Sequence, residues 1–407
     1  MTEQIVIVGA GQAAVQAIDT LRRQHFAGTL TLIGAEASPP YPRPPLSKEY
    51  LAGTLSAERL MLRPQTFYEQ RAVTTLLGRR VEEISRREQR VRLDDGRSLP
   101  YDALLLATGS RARPLPVPGA DLPTVFSLRT IEDADRIRTA CDGGGRLVIV
   151  GGGYIGLEVA ATLSERGMAV TVLELAERIL SRVACPPVSA FYAAEHARRG
   201  VRIICGARVR EIVPHPDQRR VRAVITEAGE VYPADVVVIG AGAQPVIELA
   251  AAAGLACGDG IEVDEYCRTS DPAIYAAGDC THHLSLHYGR KLRLESVDNA
   301  FEQGASAALN LMGRAVPHDK VPWFWSDQYD LKLVIVGIGT DHDDIVLRGD
   351  PTRRSFSACH LRGGELIAIE SINAPKDQLA ARKLIAARAR PDPLRLADPE
   401  VTLPAAC

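Results

Sequence analysis

The stretches IVIVGAGQAA at Ile5–Ala14 and LVIVGGGYIG at Leu147–Gly156 repeat one pattern. In each, a run of apolar and β-branched residues leads into a glycine turn, and a helical pattern follows. Glycines at such a turn let the backbone approach a pyrophosphate, which the N-terminus of the helix then binds. The sequence therefore predicts two Rossmann-type nucleotide-binding units.

Each copy is followed by an acidic residue at the end of the next predicted strand. This residue is Glu36 after TLTLIGAE and Glu174 after AVTVLE. A carboxylate at this position accepts hydrogen bonds from the ribose hydroxyls of an adenine dinucleotide. Two complete units predict two dinucleotides bound at once, an arrangement that moves electrons between cofactors.

Composition and charge exclude several classes of protein. Of the 407 residues, 46% are hydrophobic and 24% are charged, and the formal net charge is −2. These values are typical of a globular protein and carry no overall signature of nucleic-acid or membrane binding. No apolar stretch is long enough to span a bilayer, and the N-terminus shows no targeting leader. We therefore expect a cytoplasmic protein with neither nucleic acid nor membrane among its partners.

The eight cysteines are scattered, and none of them forms a CxxC or CxxxxC pair. Flavoenzymes that reduce disulfides need two neighbouring thiols, and metal sites need clustered ligands. The pair His282–His283 also lacks the spacing of a ligand set. The sequence therefore predicts no redox disulfide and no metal.

Beyond Trp323 the pattern changes to alternating strands without a glycine fingerprint. We predict strands over Lys332–Ile338, Asp344–Leu347, Ser355–Leu361 and Glu365–Ile372, followed by a helix over Lys376–Arg388. Strands that run on into a single helix are typical of an α+β domain.

Longer motifs carry a more specific signal. In chain order they are GAGQAA, YPRPPLSKEYLAG, LLLATGS, VIVGGGYIGLEVAATL, IYAAGDC, ESVDNAFEQG and PWFWSDQYDLKL. Together they resemble the oxygenase-coupled NADH–ferredoxin reductases, over the chain up to about Arg390. This family passes electrons from NADH through FAD to a small iron–sulfur protein, which serves a monooxygenase or a ring-hydroxylating dioxygenase.

The resemblance implies an α/β fold of the glutathione-reductase type, with two Rossmann-type domains and a C-terminal α+β domain. The FAD-binding domain would comprise residues 1–112 and 238–321, because the Gly-Asp turn of IYAAGDC follows the second nucleotide unit. The NADH-binding domain would be 113–237, and the C-terminal domain 322–407. The implied cofactors are FAD and NADH. The implied partner is a 2Fe–2S ferredoxin or a rubredoxin, with the terminal oxygenase reached only indirectly.

Several residues are implied to bind FAD. The first glycine turn, with Gly9, Gly11 and Ala14, would bind the FAD pyrophosphate, and Glu36 would bind the ribose. Arg43 would contact a phosphate, and Asp279 would contact the ribityl or phosphate region. A helix N-terminus would face the pyrimidine end of the flavin, where partial positive charge supports the reduced anion. The full set is Gly9, Gly11, Ala14, Glu36, Arg43, Thr108, Gly109, Gly278, Asp279, Glu295, Ser296 and Val297.

A second set is implied to bind NADH, namely Gly151, Gly153, Tyr154, Gly156, Glu174 and Arg182. A carboxylate at Glu174 favours NADH, because it repels the additional phosphate of NADPH. Arg178 and Arg182 lie nearby in the sequence, so this preference stays open. Tyr154 either borders the path of the nicotinamide or serves packing only.

Lys48 and Glu158 match the family's ion pair beside the flavin N5. They are therefore candidate catalytic residues as well as cofactor contacts. A cation there stabilises reduced flavin, and the glutamate orients the lysine and offsets the cost of its burial. Trp325 matches an aromatic residue next to the flavin, where it shields the ring or packs at a domain interface.

Two alternatives remain at this stage. An NADH oxidase or peroxidase of the same superfamily would need a redox cysteine soon after the first unit, whereas the first cysteine here is Cys141. A redox-sensing flavoprotein resembling apoptosis-inducing factor would act by binding rather than by turnover. Reduction of an iron–sulfur protein separates these alternatives from the reductase.

Overall fold

The computed structural model describes residues 2–216 and 220–407. In chain order their α-helices are α1 (Gln12–Arg23), α2 (Glu49–Ala52), α3 (Gln65–Gln70), α4 (Ile131–Ala140), α5 (Tyr154–Glu165), α6 (Pro186–Arg198), α7 (Glu248–Ala252), α8 (Val297–Leu311), α9 (Pro375–Ala386) and α10 (Pro393–Ala397). No helix in this part of the chain combines the length and the apolar character that crossing a bilayer requires.

The strands of the same residues are β1 (Gln4–Val8), β2 (Thr29–Gly34), β3 (Val73–Leu77), β4 (Val81–Ser85), β5 (Arg90–Leu93), β6 (Ser98–Pro100), β7 (Ala103–Leu106), β8 (Ser110–Ala112), β9 (Val125–Ser127), β10 (Gly145–Val150), β11 (Met168–Leu173), β12 (Arg202–Ile204), β13 (Val209–Pro214), β14 (Val221–Thr226), β15 (Val231–Pro233), β16 (Val236–Ile239), β17 (Ala243–Pro245), β18 (Cys257–Gly258), β19 (Gly260–Val263), β20 (Ile274–Ala276), β21 (Thr281–Ser285), β22 (Arg290–Leu292), β23 (Trp323–Gln328), β24 (Leu331–Gly337), β25 (Asp344–Asp350), β26 (Ser355–Arg362) and β27 (Glu365–Ile372).

The chain divides into two compact units. Unit 1 comprises residues 2–42, 60–111 and 244–322, and unit 2 comprises residues 43–59, 112–216, 220–243 and 323–407. Residues 43–59 therefore belong to unit 2, although the division drawn from the sequence counts them with the FAD domain. That three-domain division stays a prediction.

Unit 1 is built on a parallel sheet of order β20-β7-β1-β2-β3. Successive residues of β1 are buried on opposite faces, Ile5 and Ile7 in one apolar cluster and Val6 and Val8 in another. Burial on both faces explains why the strand reads as an uninterrupted apolar run. Since carboxyl ends of parallel strands meet at one edge, the segments that follow β1, β2, β7 and β20 all begin there.

Unit 2 contains a second parallel sheet of order β12-β11-β10-β16-β9. Val148 and Val150 of β10 pack in one apolar cluster with Ile212 and Val224, which belong to the sheet β13-β14-β15. The two parallel sheets confirm the predicted α/β class with two Rossmann-type halves.

The C-terminal part of unit 2 is an antiparallel sheet of order β23-β24-β27-β26-β25. The four strands and the helix that the sequence predicted there are present, with ends shifted by up to three residues. The edge strand β23 was not predicted. Leu157 of α5 shares an apolar cluster with Leu333 and Phe356, so this sheet packs beside α5.

Candidate functional site: two dinucleotide turns and a buried ion pair

The two glycines of the first turn, Gly9 and Gly11, have different surroundings. Gly9 has a φ of +106°, and a Cβ there would lie 2.1 Å from the carbonyl oxygen of Ala107. Gly11 is the N-cap of α1, and no atom lies within 4 Å of where its Cβ would be. No side chain caps this helix. The open space and the uncapped N–H groups fit a bound pyrophosphate.

The helix that follows this turn packs tightly through backbone. A Cβ at Gly304 of α8 would lie 2.4 Å from the carbonyl oxygen of Ala13 in α1. Ala14, in the third fingerprint position, is fully buried. At this point α1 therefore has α8 as an immediate neighbour.

The strand-end acid of unit 1 contacts the first residue of the motif YPRPPLSKEYLAG. The Tyr41 hydroxyl donates a short hydrogen bond to the Glu36 carboxylate. Glu36 itself is half-buried beyond the end of β2, at the edge of the sheet that also carries Gly9 and Gly11.

The Gly-Asp turn after β20 reaches the same edge. Gly278 has a φ of +87°, and its N–H donates to Oε1 of Gln303 at 2.8 Å. The hydroxyl of Ser110 donates to Oδ2 of Asp279 at 2.8 Å. Gln303 is fully buried on α8, where it also accepts a hydrogen bond from Thr281. Sequence reasoning missed Gln303, although it stands inside the quoted motif ESVDNAFEQG.

The remaining residues predicted for FAD lie as follows. Thr108 donates to the carbonyl of Val246 at 2.7 Å, and Gly109 has a φ of +67°. Ser296 caps α8, because its hydroxyl accepts the N–H of Asn299 at 3.0 Å. Val297 begins that helix, and the exposed Glu295 forms a close ion pair with Arg293. Arg43 belongs to unit 2, where it donates to the carbonyl of Arg129 at 2.8 Å.

The second glycine turn repeats the geometry of the first. Gly151 has a φ of +113°, and a Cβ there would lie 2.4 Å from the carbonyl oxygen of Gly240. Gly153 is the uncapped N-cap of α5, with no atom within 4 Å of its Cβ position. A Cβ on Gly156 would lie 2.1 Å from the carbonyl oxygen of Gly151, so only glycine fits there.

The strand-end acid of unit 2 is tied to its own turn. Glu174 accepts the N–H of Gly152 at 2.6 Å and the N–H of Ala176 at 2.8 Å. A cleft of about 420 Å³ lies next to it, lined by Leu175, Ile204 to Arg208, Thr226 to Ala228 and Glu230. A cleft beyond the carboxyl ends of parallel strands is where such sheets bind nucleotides.

The two arginines near Glu174 differ in their contacts. Arg178 donates to the carbonyls of Ala184 and Ser181, at 2.7 and 3.0 Å, so its guanidinium is occupied by its own loop. Arg182 is exposed, and a Cβ on Gly242 would lie 3.2 Å from one of its nitrogens.

Tyr154 stacks against Phe324 of β23, with ring centroids 4.4 Å apart. Burial raises the pKa of the phenol well above its ordinary value, so the hydroxyl stays protonated. Its hydroxyl lies 3.4 Å from the carbonyl oxygen of Val183.

Lys48 and Glu158 form a buried ion pair. The Nζ of Lys48 lies 2.8 Å from Oε2 of Glu158, and the side chains are 11% and 5% exposed. The hydroxyl of Ser47 donates to the same oxygen at 2.5 Å, and the hydroxyl of Ser326 donates to Oε1 at 2.6 Å. Both carboxylate oxygens are thus satisfied, as a buried charge requires.

The loop that carries Lys48 is anchored directly to α5. Thr162 donates to the carbonyl of Ser47 at 2.7 Å, and Arg166 donates to the carbonyl of Leu51 at 2.9 Å. A turn that begins with two prolines, Pro44–Ser47, stiffens the loop further. These contacts fix the ammonium relative to the helix that bears Glu158.

Strand β23 completes the surroundings of Glu158. Trp325 is half-buried and packs against Trp323 with ring centroids 5.3 Å apart, while the next residue, Ser326, points to Glu158. Sequence reasoning selected Lys48 and Trp325 but missed their neighbours Ser47 and Ser326. Adjacency within the motifs RPPLSK and FWSDQ was the available signal.

Comparison with known proteins identifies the family. Residues 3–304 match the family described as pyridine nucleotide-disulphide oxidoreductase, and residues 323–407 match the family described as reductase C-terminal. The chain belongs to this oxidoreductase family. The reductase accordingly uses FAD and NAD(H), the cofactors predicted from its sequence.

Relatives cover nearly the whole reductase. Putidaredoxin reductase CamA of Pseudomonas putida is 43% identical over 98% of this chain and 96% of its own. The ferredoxin–NAD(+) reductase component of the anthranilate 1,2-dioxygenase system of Burkholderia cepacia is 42% identical over 98% of both. These matches confirm the resemblance to the oxygenase-coupled ferredoxin reductases.

Solved structures agree with this assignment. The ferredoxin reductase for the CYP199A2 system from Rhodopseudomonas palustris has a TM-score of 0.96 at 40% identity, over all of both chains. A covalent putidaredoxin reductase–putidaredoxin complex matches with a TM-score of 0.95 at 44% identity, over 98% of this chain and 96% of that one.

One further cluster in the reductase bears on the prediction that it holds no metal. Among the described residues, Cys185, His360 and Glu370 are buried with their potential ligand atoms within 4.8 Å of one another. Nε2 of His360 lies 2.9 Å from Glu370, and the N–H of Cys185 donates to both carboxylate oxygens at 3.0 Å. The three groups therefore already have contacts with one another, and the absence of a metal stays a prediction.

Proposed function

We propose that this reductase takes a hydride from NADH onto FAD and passes electrons singly to a 2Fe–2S ferredoxin or a rubredoxin, which supplies a terminal oxygenase. The observation that carries the proposal is the buried Lys48–Glu158 pair, in a chain with two uncapped dinucleotide turns. The full-length relatives named as reductases of ferredoxins and of rhodocoxin support the choice of acceptor.

The flavin and nicotinamide supply the redox chemistry when bound, so the protein needs neither a nucleophile nor a general acid. Lys48 would supply a positive charge that stabilises reduced flavin, while Glu158 orients the ammonium and offsets the cost of its burial. Trp325 would shield the flavin ring. We regard these three as the catalytic residues.

Binding of each cofactor is assigned to one set of residues. Gly9, Gly11, Ala14, Glu36, Arg43, Thr108, Gly109, Gly278, Asp279, Glu295, Ser296 and Val297 serve FAD. Gly151, Gly153, Tyr154, Gly156, Glu174 and Arg182 serve NADH. The Glu174 carboxylate gives the preference for NADH, since Arg178 is occupied by its own loop. The proposed domains are 1–112 with 238–321, 113–237 and 322–407, and the proposed compartment is the cytoplasm.

Turnover with an iron–sulfur acceptor tests the function. FAD-saturated protein would be assayed with NADH and with NADPH, following cytochrome c reduction with and without a 2Fe–2S ferredoxin from the same source. Strong stimulation by ferredoxin with NADH, and little with NADPH, is expected. Rapid oxygen consumption without ferredoxin would show an oxidase. Slow flavin reduction with no stimulation by any carrier would show a redox-sensing protein.

A charge variant then tests the site. Lys48→Met keeps the length of the side chain and removes its charge. We expect the spectrum of the NADH-reduced protein to change, together with a slower flavin reduction and little change in NADH affinity. Lys376→Met, in a helix that carries none of the assigned residues, is the matched control. Identical spectra of Lys48→Met and the unmodified protein would refute the role of Lys48.

A further inference from the structure

A chain of hydrogen bonds runs through unit 2 and ends on Glu158. Its first member is the Tyr329 hydroxyl, 3.0 Å from Nδ1 of His196. Nε2 of His196 lies 2.9 Å from Oε1 of Gln328, and Nε2 of Gln328 donates to the Ser326 hydroxyl at 3.2 Å. Ser326 in turn donates to Glu158 at 2.6 Å. His196, Gln328 and Ser326 are each no more than 1% exposed.

The chemistry of Glu158 fixes the direction of every bond in this chain. An ionised carboxylate only accepts, so the single proton of Ser326 must point to it. The Ser326 oxygen must then accept from the amide nitrogen of Gln328, which turns the amide oxygen toward His196. That oxygen only accepts, so His196 must carry its proton on Nε2. Nδ1 is left to accept from Tyr329.

We propose that Gln328 and His196 are positioning residues for the Glu158 carboxylate, through a one-way chain of donors that begins at Tyr329. The importance of Glu158 to turnover rests on the proposed function, whereas the chain itself rests on the distances alone. The chain fixes the rotamer of the carboxylate, and thereby the direction of the Lys48 ammonium.

The groups at the outer end of the chain suit this role. Tyr329 has a φ of +58° at the turn between β23 and β24, a conformation that side chains rarely adopt. The guanidinium of Arg199 lies 4.1 Å from the centre of its ring. Burial raises the pKa of Tyr329 and lowers that of His196, so the phenol keeps its proton and the imidazole stays neutral. Both groups are therefore in the forms that the chain requires.

A neutral Glu158 would allow the opposite arrangement. Its own proton could point to Ser326, Ser326 could donate to a turned Gln328 amide, and His196 would carry its proton on Nδ1. The tautomer of the fully buried His196 thus reports the charge of Glu158, from which it is separated by the side chains of Gln328 and Ser326. A chain that served packing alone would impose no such link.

Nuclear magnetic resonance of the FAD-loaded holoenzyme, with isotope-labelled histidine nitrogens, tests the proposal. His196→Asn assigns the signal by its loss. We expect one neutral tautomer with the proton on Nε2. In Ser326→Ala the Gln328 amide loses its acceptor and is free to turn, so a mixture of tautomers is expected. Ser326→Thr keeps the hydroxyl and should retain the single tautomer.

Ser371→Ala is the matched control, since Ser371 is an equally buried serine of the same sheet whose hydroxyl donates to the carbonyl of Val334. It should leave the His196 signal unchanged. An Nδ1–H tautomer in the unmodified protein would overturn the proposal. A signal that is the same in Ser326→Ala and the unmodified protein would overturn it as well.

Kinetics separate this inference from the proposed function. In Ser326→Ala, flavin reduction by NADH should slow about tenfold, the effect of losing one hydrogen bond to an ionised group, with KM for NADH unchanged. Normal kinetics in Ser326→Ala would contradict the positioning role even if ferredoxin is reduced. Failure to reduce any ferredoxin, with the tautomer as expected, would instead contradict the proposed function alone.

Discussion

The two nucleotide units carry a pair of polar residues at matching positions of the helix after the glycine turn, but the two pairs have different partners. Gln16 and Thr20 in α1 stand in the same register as Glu158 and Thr162 in α5. Gln16 donates to Thr20 at 3.1 Å, so this pair is satisfied within its own helix. In α5, Glu158 bonds Ser47, Lys48 and Ser326, and Thr162 bonds the carbonyl of Ser47.

The neighbours of the two helices account for this difference. Helix α1 meets α8 through the backbone at Gly304, a contact with no room for an added side-chain atom. Helix α5 faces the loop 43–59 and strand β23, both of which bring polar side chains. The structure therefore places a buried charge beside one of the two helices only, namely the Lys48 ammonium that Glu158 of α5 holds.

The largest effect is expected when Glu158 of α5 is replaced by glutamine, the residue that α1 carries at the matching position, Gln16. Glu158→Gln leaves the Lys48 ammonium buried without its counter-ion, so the free energy of unfolding in urea should fall by about 3 kcal/mol. The double variant Lys48→Met/Glu158→Gln should recover most of this loss, because no unpaired charge remains, while flavin reduction stays slow. An equal loss of stability in the single and the double variant would mean that the ion pair is not the cause.

The next largest effect is expected at the third position of the glycine pattern, which is Ala14 in the first unit and Gly156 in the second. Gly156→Ala places a Cβ 2.1 Å from a backbone oxygen, so we expect a loss of stability of about 2 kcal/mol and weaker NADH binding. Ala14→Gly, the exchange in the other direction, should cost about 1 kcal/mol of helix stability and leave NADH binding unchanged. Urea unfolding and NADH titration measure both. Tight NADH binding by Gly156→Ala would show that the two turns tolerate the same residues.

Removing the charge from each strand-end acid should affect the two cofactors differently. Glu174→Gln should raise kcat/KM for NADPH relative to NADH about tenfold, because a negative charge no longer opposes the additional phosphate. Glu36→Gln should lower FAD retention without changing this ratio. The two nucleotides are compared in steady-state assays at saturating FAD. A change of the ratio in Glu36→Gln would contradict the assignment of one cofactor to each unit.

The two threonines should give the smallest effect. Thr162→Val removes the donor to the carbonyl of Ser47 and should lower the free energy of unfolding by about 1 kcal/mol. It should also expose the loop 43–59 to proteolysis. Thr20→Val removes a bond within α1 and should leave cleavage of that loop unchanged. Mass spectrometry of timed digests distinguishes the two, and equal cleavage in both variants would refute the anchoring role of Thr162.

The amino-acid sequence predicted those features whose interacting residues lie close to one another along the chain. The glycines and the strand-end acids follow from the order of strand, turn and helix, and these turns have the geometry that the pattern requires. Lys48 and Glu158 came from motif resemblance. Ser47, Ser326 and Gln303 were missed, because a serine or a glutamine gives no signal of its own until folding supplies a carboxylate or a backbone N–H beside it.

Strand β23 was missed for a related reason. Its residues WFWSDQ do not alternate between apolar and polar, since three aromatic residues at its start are half-buried and Ser326 near its end is fully buried. Strand prediction relies on period-two alternation. Here the buried positions near the end of the strand are the polar residues Ser326 and Gln328, so no such alternation is visible in the sequence.

The two serines that bond Glu158 are separated from it by 111 and 168 positions along the chain. At roughly 5–20 residues per second, a ribosome would complete Ser326 roughly 10–30 seconds after Glu158. During that interval Lys48 and Glu158 already exist, and water must satisfy the oxygen that Ser326 will later bond. The final set of contacts around the ion pair therefore requires a segment that is synthesised 168 positions after Glu158.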